Sequence, residues 1–227
     1  MRTTAILPVK DFAAAKQRLA GNGASSGSGL SPSDRESLAE AMFRDVLSAL
    51  TTSRLIDDLL VVARSATPRR IAAEHGVRVV ADGERGHNAA AQVGIEAAIG
   101  TGAERVVLVP GDCPVLDPCD LDRLLSRPIV TPSVLIVPDR HRTGTNALVL
   151  TPPDALAPSF GPDSCERHVQ TAQAGGITAE VVVVPSLATD VDMPEDVDAL
   201  ELSLASAEPA AAPATRRALN SLPVPSK

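Results

Sequence analysis

The stretch VVLVPGDCPVL (Val106–Leu116) decides the fold. Four apolar residues run on without a polar interruption and then meet Pro110 and Gly111, which force a turn. A strand apolar on both faces needs cover on both sides, as in a parallel sheet sandwiched by helices. Working outward, strand-length apolar runs recur at Thr3–Val9, Leu59–Ala63, Val77–Ala81, Val134–Val137, Ala147–Leu150 and Val181–Val184. Between them lie segments of helical period at Ser33–Leu50, Pro68–His75, Asn88–Ile99, Asp120–Leu125 and Ser164–Ala174, with a last helix from Pro194 to near Leu204. In the first helix Leu38, Met42, Val46 and Leu50 recur at i+4 steps, and Ser33 with Glu36 reads as a capping box. The alternation predicts an α/β fold: one domain, three layers, a mostly parallel mixed sheet with helices on both faces. Such sheets bind ligands at the carboxyl ends of their strands, so the polar residues after each run are where function is sought.

The 227 residues carry 21 Lys+Arg against 28 Asp+Glu, a net charge of −7. The reading places the domain in residues 1–202, interrupted by a flexible Gly/Ser loop at 20–33. Residues 203–227, rich in Ala and Pro, are expected to be disordered, because they offer too little apolar area to offset ordering entropy. The remaining roughly 190 residues suffice to bury about 70% of the unfolded surface. The acidic balance, with no Tyr or Trp, argues against a nucleic-acid partner, which needs basic surface and stacking platforms. No apolar run reaches membrane-spanning length, and Lys10 and Asp11 come before any secretory core, so a cytoplasmic protein is expected. Cys113, Cys119 and Cys165 show no CxxC spacing, and Cys165 with His168 falls two ligands short of a zinc site.

Several polar groups follow the strands. Lys10, Lys16 and Arg18 fall in the loop leaving the first run, and two of the three lysines in the chain are there. Clustered cations on a strand-exit loop suit a triphosphate, although a solvated basic loop would look the same. The P-loop sequence GxxxxGK[ST] is absent. Asp112 is a carboxylate held at a strand end, suited to Mg²⁺ or simply to capping a turn. Asp190 and Asp192 follow the last run at i and i+2, so both can face one cation; Asp192 would serve equally as the cap of the helix at Pro194. After Thr143-Gly-Thr-Asn-Ala147 comes Phe160-Gly-Pro-Asp-Ser164, where Ser164 opens a helix whose free amides would form an anion site or merely be capped. Arg167 is expected to face away from that site. Asn88 opens another helix, where it can meet a nucleotide or serve as a cap. His75 reads as a helix C-terminal partner.

In order, Pro8-Val-Lys10, Ala15-Lys-x-Arg-Leu19, Gly111-Asp-x-Pro114, Gly144-Thr-Asn-Ala147, Phe160-Gly-x-x-Ser164 and Asp190-Val-Asp192 resemble the phosphoenolpyruvate/2-phospho-L-lactate guanylyltransferases of coenzyme F-420 biosynthesis. The resemblance runs from about Thr3 to Leu200 and leaves out the Gly/Ser loop and the tail. It implies a Rossmann-like nucleotidyltransferase fold and transfer of GMP from GTP to a three-carbon phospho-acid, with release of pyrophosphate. It implies Mg²⁺, two ions, on Asp112, Asp190 and Asp192, and catalytic roles for Lys16 and Asp112. The phospho-acid would meet Thr145, Gly161 and Ser164, while Lys10, Lys16, Arg18 and Asn88 would meet GTP. The acceptor phosphate is already ionised, so no strong general base is needed; the difficulty is bringing two polyanions together. The Lys-poor composition points to a GC-rich bacterial genome and leans toward phosphoenolpyruvate over 2-phospholactate or 3-phosphoglycerate. The resemblance leaves a homodimer open and implies hand-over of an unstable product to the next enzyme. The competing readings are a molybdenum-cofactor guanylyl- or cytidylyltransferase, a sugar transferase using Asp190-x-Asp192, and a non-catalytic nucleotide-binding protein on the same fold.

Overall fold

The computed structural model describes residues 1–14, 16–20, 30–83, 86–128 and 130–222. In chain order the elements are β1 (Thr3–Val9), α1 (Pro32–Thr52), β2 (Asp58–Ala63), α2 (Ala66–Glu74), β3 (Arg78–Val80), α3 (His87–Ile99) and β4 (Arg105–Leu108). Then follow α4 (Pro118–Leu125), β5 (Ser133–Pro138), β6 (Thr145–Thr151), α5 (Ser164–Ala174), β7 (Thr178–Val181), α6 (Pro194–Ser206) and α7 (Pro213–Asn220). Among the described residues, seven strands make one sheet in the order β3-β2-β1-β4-β6-β5-β7. β6 pairs antiparallel with both β4 and β5, while the other pairings are parallel. The start of β6 therefore lies beside the ends of β4 and β5, which brings Thr145 to the edge where Asp112 leaves β4.

The sandwich has two cores, one on each face. Phe43, Leu47 and Leu50 of α1, Ile71 of α2 and Leu121 and Leu124 of α4 pack on one face against Leu7, Val61 and Val107. Ala90, Ala91 and Ile95 of α3, with Cys165 and Ala172 of α5, cover Ile6, Leu60 and Leu108 on the other. Helix α3 lies so close to β1 that a Cβ on Gly94 would come within 2.3 Å of Ile6 Cγ2. This is why a helix so rich in Ala and Gly packs there.

Three expectations are corrected. Helix α1 begins at Pro32, not Ser33, and its cap is Ser31, whose hydroxyl accepts the Asp34 N–H; the ordered chain thus reaches back into the expected loop, of which 21–29 lie outside the described residues. Strand β7 ends at Val181 rather than beginning there, because its partner β5 fixes the register from Ser133↔Thr178 to Ile136↔Val181. Val181 and Val183 are exposed, so that apolar run is not a buried strand.

The third correction concerns the tail. Helix α6 continues to Ser206, and Pro213–Asn220 forms α7 against α1. Leu204 and Ala212 join Leu19, Leu38, Met42 and Val191 in a satellite core. The composition offers little area, as expected, but hydrogen bonds from another element supply the order. Asp45 of α1, buried, accepts the Ala214 and Thr215 N–H groups at 3.1 and 2.7 Å. Arg216 closes the turn by donating to the Ala211 and Leu204 carbonyls. Residues 223–227 lie outside the described residues. Removing a side-chain cap typically costs about 1–2 kcal/mol. Asp45→Ala should lower unfolding free energy by about that amount in a urea titration, and amides of α7 should lose exchange protection before those of the sheet. Unchanged stability together with unchanged α7 protection would refute this account of the tail.

Candidate active site

At the carboxyl ends of the parallel strands a lysine bridges two carboxylates. Lys16, in the loop after β1, donates through Nζ to Asp112 Oδ2 and to Asp192 Oδ1, the latter at 2.8 Å. Its side chain is only 8% exposed. Burial alone would lower its proton affinity, but the two aspartate charges raise it, so the ammonium persists. The backbone of Lys16 has φ 57°, a costly left-handed conformation for a residue with a side chain, and such residues concentrate at functional sites. Lys10 and Arg18 are exposed, and their charges reach Asp192. The three cations foreseen in this loop thus come together with the carboxylates.

Asp190 and Asp192 are held from different sides. Buried Asn146 of β6 donates through Nδ2 to the Leu187 carbonyl at 2.8 Å and to Asp190 Oδ1 at 3.3 Å. Burial and then the charge of Asp112 push Asp190 up to about 6. Burial works against ionisation of Asp192 too, but Lys16 prevails and holds it low. Asp192 does not cap α6. Met193 occupies that position, and Asp196 Oδ2 accepts the N–H groups of Asp192 and Met193, each at 2.7 Å. Arg140, from the β5–β6 turn, pairs with the other oxygen of Asp196. Asn146, Asp196 and Arg140 were not singled out from sequence, because each acts through contacts 41 to 56 residues apart, apart from the two Asp196 bonds to its own loop.

The chemistry of this donor set suits a hard cation: the groups are carboxylate oxygens, and Asp112 Oδ1 is buried with no hydrogen-bond partner. Yet among the described residues no three His, Cys, Asp or Glu side chains converge as a set of ligands around one point. Of the three aspartates expected to form one cluster, Asp112 and Asp192 are drawn onto Lys16, and Asp190 is held by Asn146.

On the far side of β4 lies the second set. Thr145 lines a small cleft with Pro8, His87, Pro110 and Phe160. A larger cavity lies at the opposite end of the strands among Arg105, Ser133, Thr151 and Thr178, away from every candidate residue. Ser164, fully buried, donates its hydroxyl to Thr145 Oγ1 at 3.1 Å. The expectation of free amides here is corrected: Ser164 N–H goes to the Gly161 carbonyl and Cys165 N–H to the Thr143 carbonyl. Gly161 has φ 125° and open space where a Cβ would stand, so backbone conformation, not crowding, requires glycine there.

The loop before α5 is gripped from three directions. Asn88 receives the Phe160 N–H at 2.7 Å and donates to the Phe160 carbonyl at 3.1 Å, which makes it a loop clamp in this structure. Arg167 does not face away; it donates twice to the Ser159 carbonyl and once to that of Pro162. His168 accepts the Ser159 N–H at Nε2, 3.0 Å away, and meets Thr145 Oγ1 with Nδ1 at 3.1 Å. Both its nitrogens are engaged, so the Cys165–His168 pair holds no metal in common. Phe160 stands edge-on between the rings of His87 and His168, at 5.1 and 5.5 Å. Burial lowers the proton affinity of His87, which is neutral in the cleft.

Residues 3–212 match the family model described as guanylyl transferase CofC like. A phosphoenolpyruvate guanylyltransferase of Conexibacter woesei is 46% identical over 224 residues, covering 98% of this chain and 97% of that one. A 3-phospho-D-glycerate guanylyltransferase of Colwellia psychrerythraea is 34% identical, covering 89% and 92%. Among solved structures, a putative nucleotide-diphospho-sugar transferase from Desulfovibrio desulfuricans G20 superposes with a TM-score of 0.73 at 17% identity, covering 97% of this chain and 95% of that one. The helix-covered, mostly parallel sheet is what the strand alternation foretold, the nucleotidyltransferase type is what the resemblance implied, and the chain belongs to the guanylyl transferase CofC-like family.

Proposed function

We propose that this protein is a guanylyltransferase that moves GMP from GTP to the phosphate of a three-carbon phospho-acid, with phosphoenolpyruvate favoured, and releases pyrophosphate. The setting is the cytoplasm, in coenzyme F-420 biosynthesis. The observation that carries the reading is the placement of two unlike sites on one sheet edge. Lys10, Lys16 and Arg18 stand with Asp112, Asp190 and Asp192 on one side, and a small cleft lined by Thr145 lies on the other. The name of the 46% identical relative supports phosphoenolpyruvate as acceptor.

An acceptor phosphate oxygen attacks the α-phosphorus of GTP; the new O–P bond forms as the α–β bridging bond breaks, and pyrophosphate carries away the electron pair. No proton needs to move, which agrees with the absence of a charged histidine in the cleft. What the reaction needs is neutralisation and alignment of two polyanions. Lys16 supplies a buried positive charge beside Asp112, and Lys10 and Arg18 extend it outward toward the triphosphate. Asp112, Asp190 and Asp192 would hold Mg²⁺, which when bound neutralises phosphate charge and polarises the phosphoryl group. Asn146 and Asp196 keep Asp190 and Asp192 in place meanwhile.

Asp112→Asn and Asp190→Asn should each lower turnover by about a hundredfold or more while leaving the circular dichroism spectrum unchanged, and wild-type turnover should stop on chelation. Near-normal rates in both folded variants would remove the carboxylates from the mechanism. Lys16→Arg should also be slow, because a planar fork does not fit the compact point between two carboxylates; a kinetically silent change would make this loop a solvated basic patch. Gly161→Ala should raise the Michaelis constant for phosphoenolpyruvate and leave that for GTP nearly unchanged, since a side chain strains the φ that shapes the acceptor loop. Pyrophosphate release measured across phosphoenolpyruvate, 2-phospholactate and 3-phosphoglycerate with each nucleoside triphosphate tests the reading as a whole.

A further inference from the structure

Two groups, the His168 ring and the Ser164 hydroxyl, converge on the Thr145 hydroxyl, and their donor and acceptor roles are fixed by chemistry. A backbone N–H only donates, so the Ser159 N–H, 3.0 Å from His168 Nε2, requires that nitrogen to be the bare one. The ring proton of the neutral imidazole is then on Nδ1, which faces Thr145 Oγ1 at 3.1 Å and donates to it. His168 is fully buried, and burial followed by the charge of Arg167 pushes it down to about 4, so the ring does not take a second proton near neutrality. The Ser164 hydroxyl donates to the same oxygen from the other side, at 3.1 Å.

A hydroxyl has two lone pairs and one proton. With both lone pairs of Thr145 taken, its proton is the only hydrogen-bonding capacity left, and among the described residues no protein acceptor receives it. Thr145 lines the cleft beside β4. A hydroxyl that accepts two hydrogen bonds is polarised into a stronger donor. Such a group favours an anionic oxygen and is poorly matched to another donor.

We propose that His168 is a positioning residue for the acceptor: with Ser164 it locks the Thr145 hydroxyl as a donor aimed into the cleft, at an anionic oxygen of the phospho-acid. This rests on the guanylyltransferase reading for the identity of the ligand, and on the hydrogen-bond geometry for everything else. The same ring also anchors Ser159 and meets Phe160 edge-on, so one side chain sets both the donor and the loop that carries Gly161.

The amide substitutions separate these two duties. His168→Gln places a carbonyl near the Nε2 position for the Ser159 N–H but offers Thr145 no donor. His168→Asn places an amide N–H near the Nδ1 position and loses the Ser159 acceptor. His168→Gln should raise the Michaelis constant for phosphoenolpyruvate about tenfold with that for GTP changed less than about twofold, and His168→Asn should recover most of the loss. In a Thr145→Val background, His168→Gln should have little further effect. Equal weakening of both substrates, or an undiminished effect in the Thr145→Val background, would reduce His168 to a structural core residue. The unliganded wild type gives a test free of folding artefacts. Its ¹⁵N spectrum at pH 7 should show the Nδ1–H tautomer of His168, and titration with phosphoenolpyruvate but not GTP should shift the His168 resonances. An Nε2–H tautomer, or a shift with GTP alone, would overturn the proposal. Absence of guanylyl transfer to any phospho-acid, with the tautomer as expected, would instead count against the functional reading.

Discussion

A buried carboxylate must find positive charge, and the catalytic end of this molecule is organised around that requirement. Asp112 leaves β4 with one oxygen buried and unpartnered, and burial, followed by the charge of Asp112, makes Asp190 hold a proton more readily than usual. The repulsion is offset by one lysine, brought in from the first strand on a backbone that few residues adopt. Because β1 and β4 are parallel neighbours, their exits are adjacent, and the ion pair follows from the strand order. A sheet that placed another strand between them would separate the lysine from its partners.

The Thr145 side obeys a different rule. Among the described residues it carries no basic cluster aimed at the cleft: Arg167 spends its guanidinium on loop carbonyls, and burial lowers the proton affinity of His87 and His168. What this side offers instead is directed donors and a held loop. The pair of hydrogen bonds between Asn88 and Phe160 and the edge-on packing of Phe160 between two imidazoles fix that loop before any ligand arrives, which reduces the ordering entropy that binding would otherwise cost.

Much of this was legible in the sequence, for a physical reason. Strands buried on both faces leave unbroken apolar runs, and the polar residues just beyond them mark the ligand edge; Lys16, Asp112 and Asp190 are of that kind, whereas Thr145, which opens β6 ahead of its apolar run, was reached only through the family resemblance. The residues that hold them were not legible. Asn146, Arg140 and His168 take their roles from partners on other elements, and a lone Asn, Arg or His looks the same whether it is a clamp or a spectator. The amides at the start of α5 were misjudged partly for the same reason: Gly161 supplies its carbonyl within the local turn, but that of Thr143 is brought there only by the tertiary fold. Helix α7 was missed because composition counts apolar area and is blind to a buried aspartate on a distant helix.

The reversed course of β6 has a consequence for how the family can diversify. The parallel strands β1 and β4 lead to Lys16 and Asp112, whereas Thr145 opens a strand of opposite course behind a hairpin turn, 139–144, that lies at the surface. Substitution or lengthening of that turn would move Thr145 and leave the β1–β4 pairing intact, but the turn also carries Arg140, whose pair with Asp196 holds the Asp192 loop. A change there is felt at both groups of residues, and Arg140 is the residue that such a change must keep.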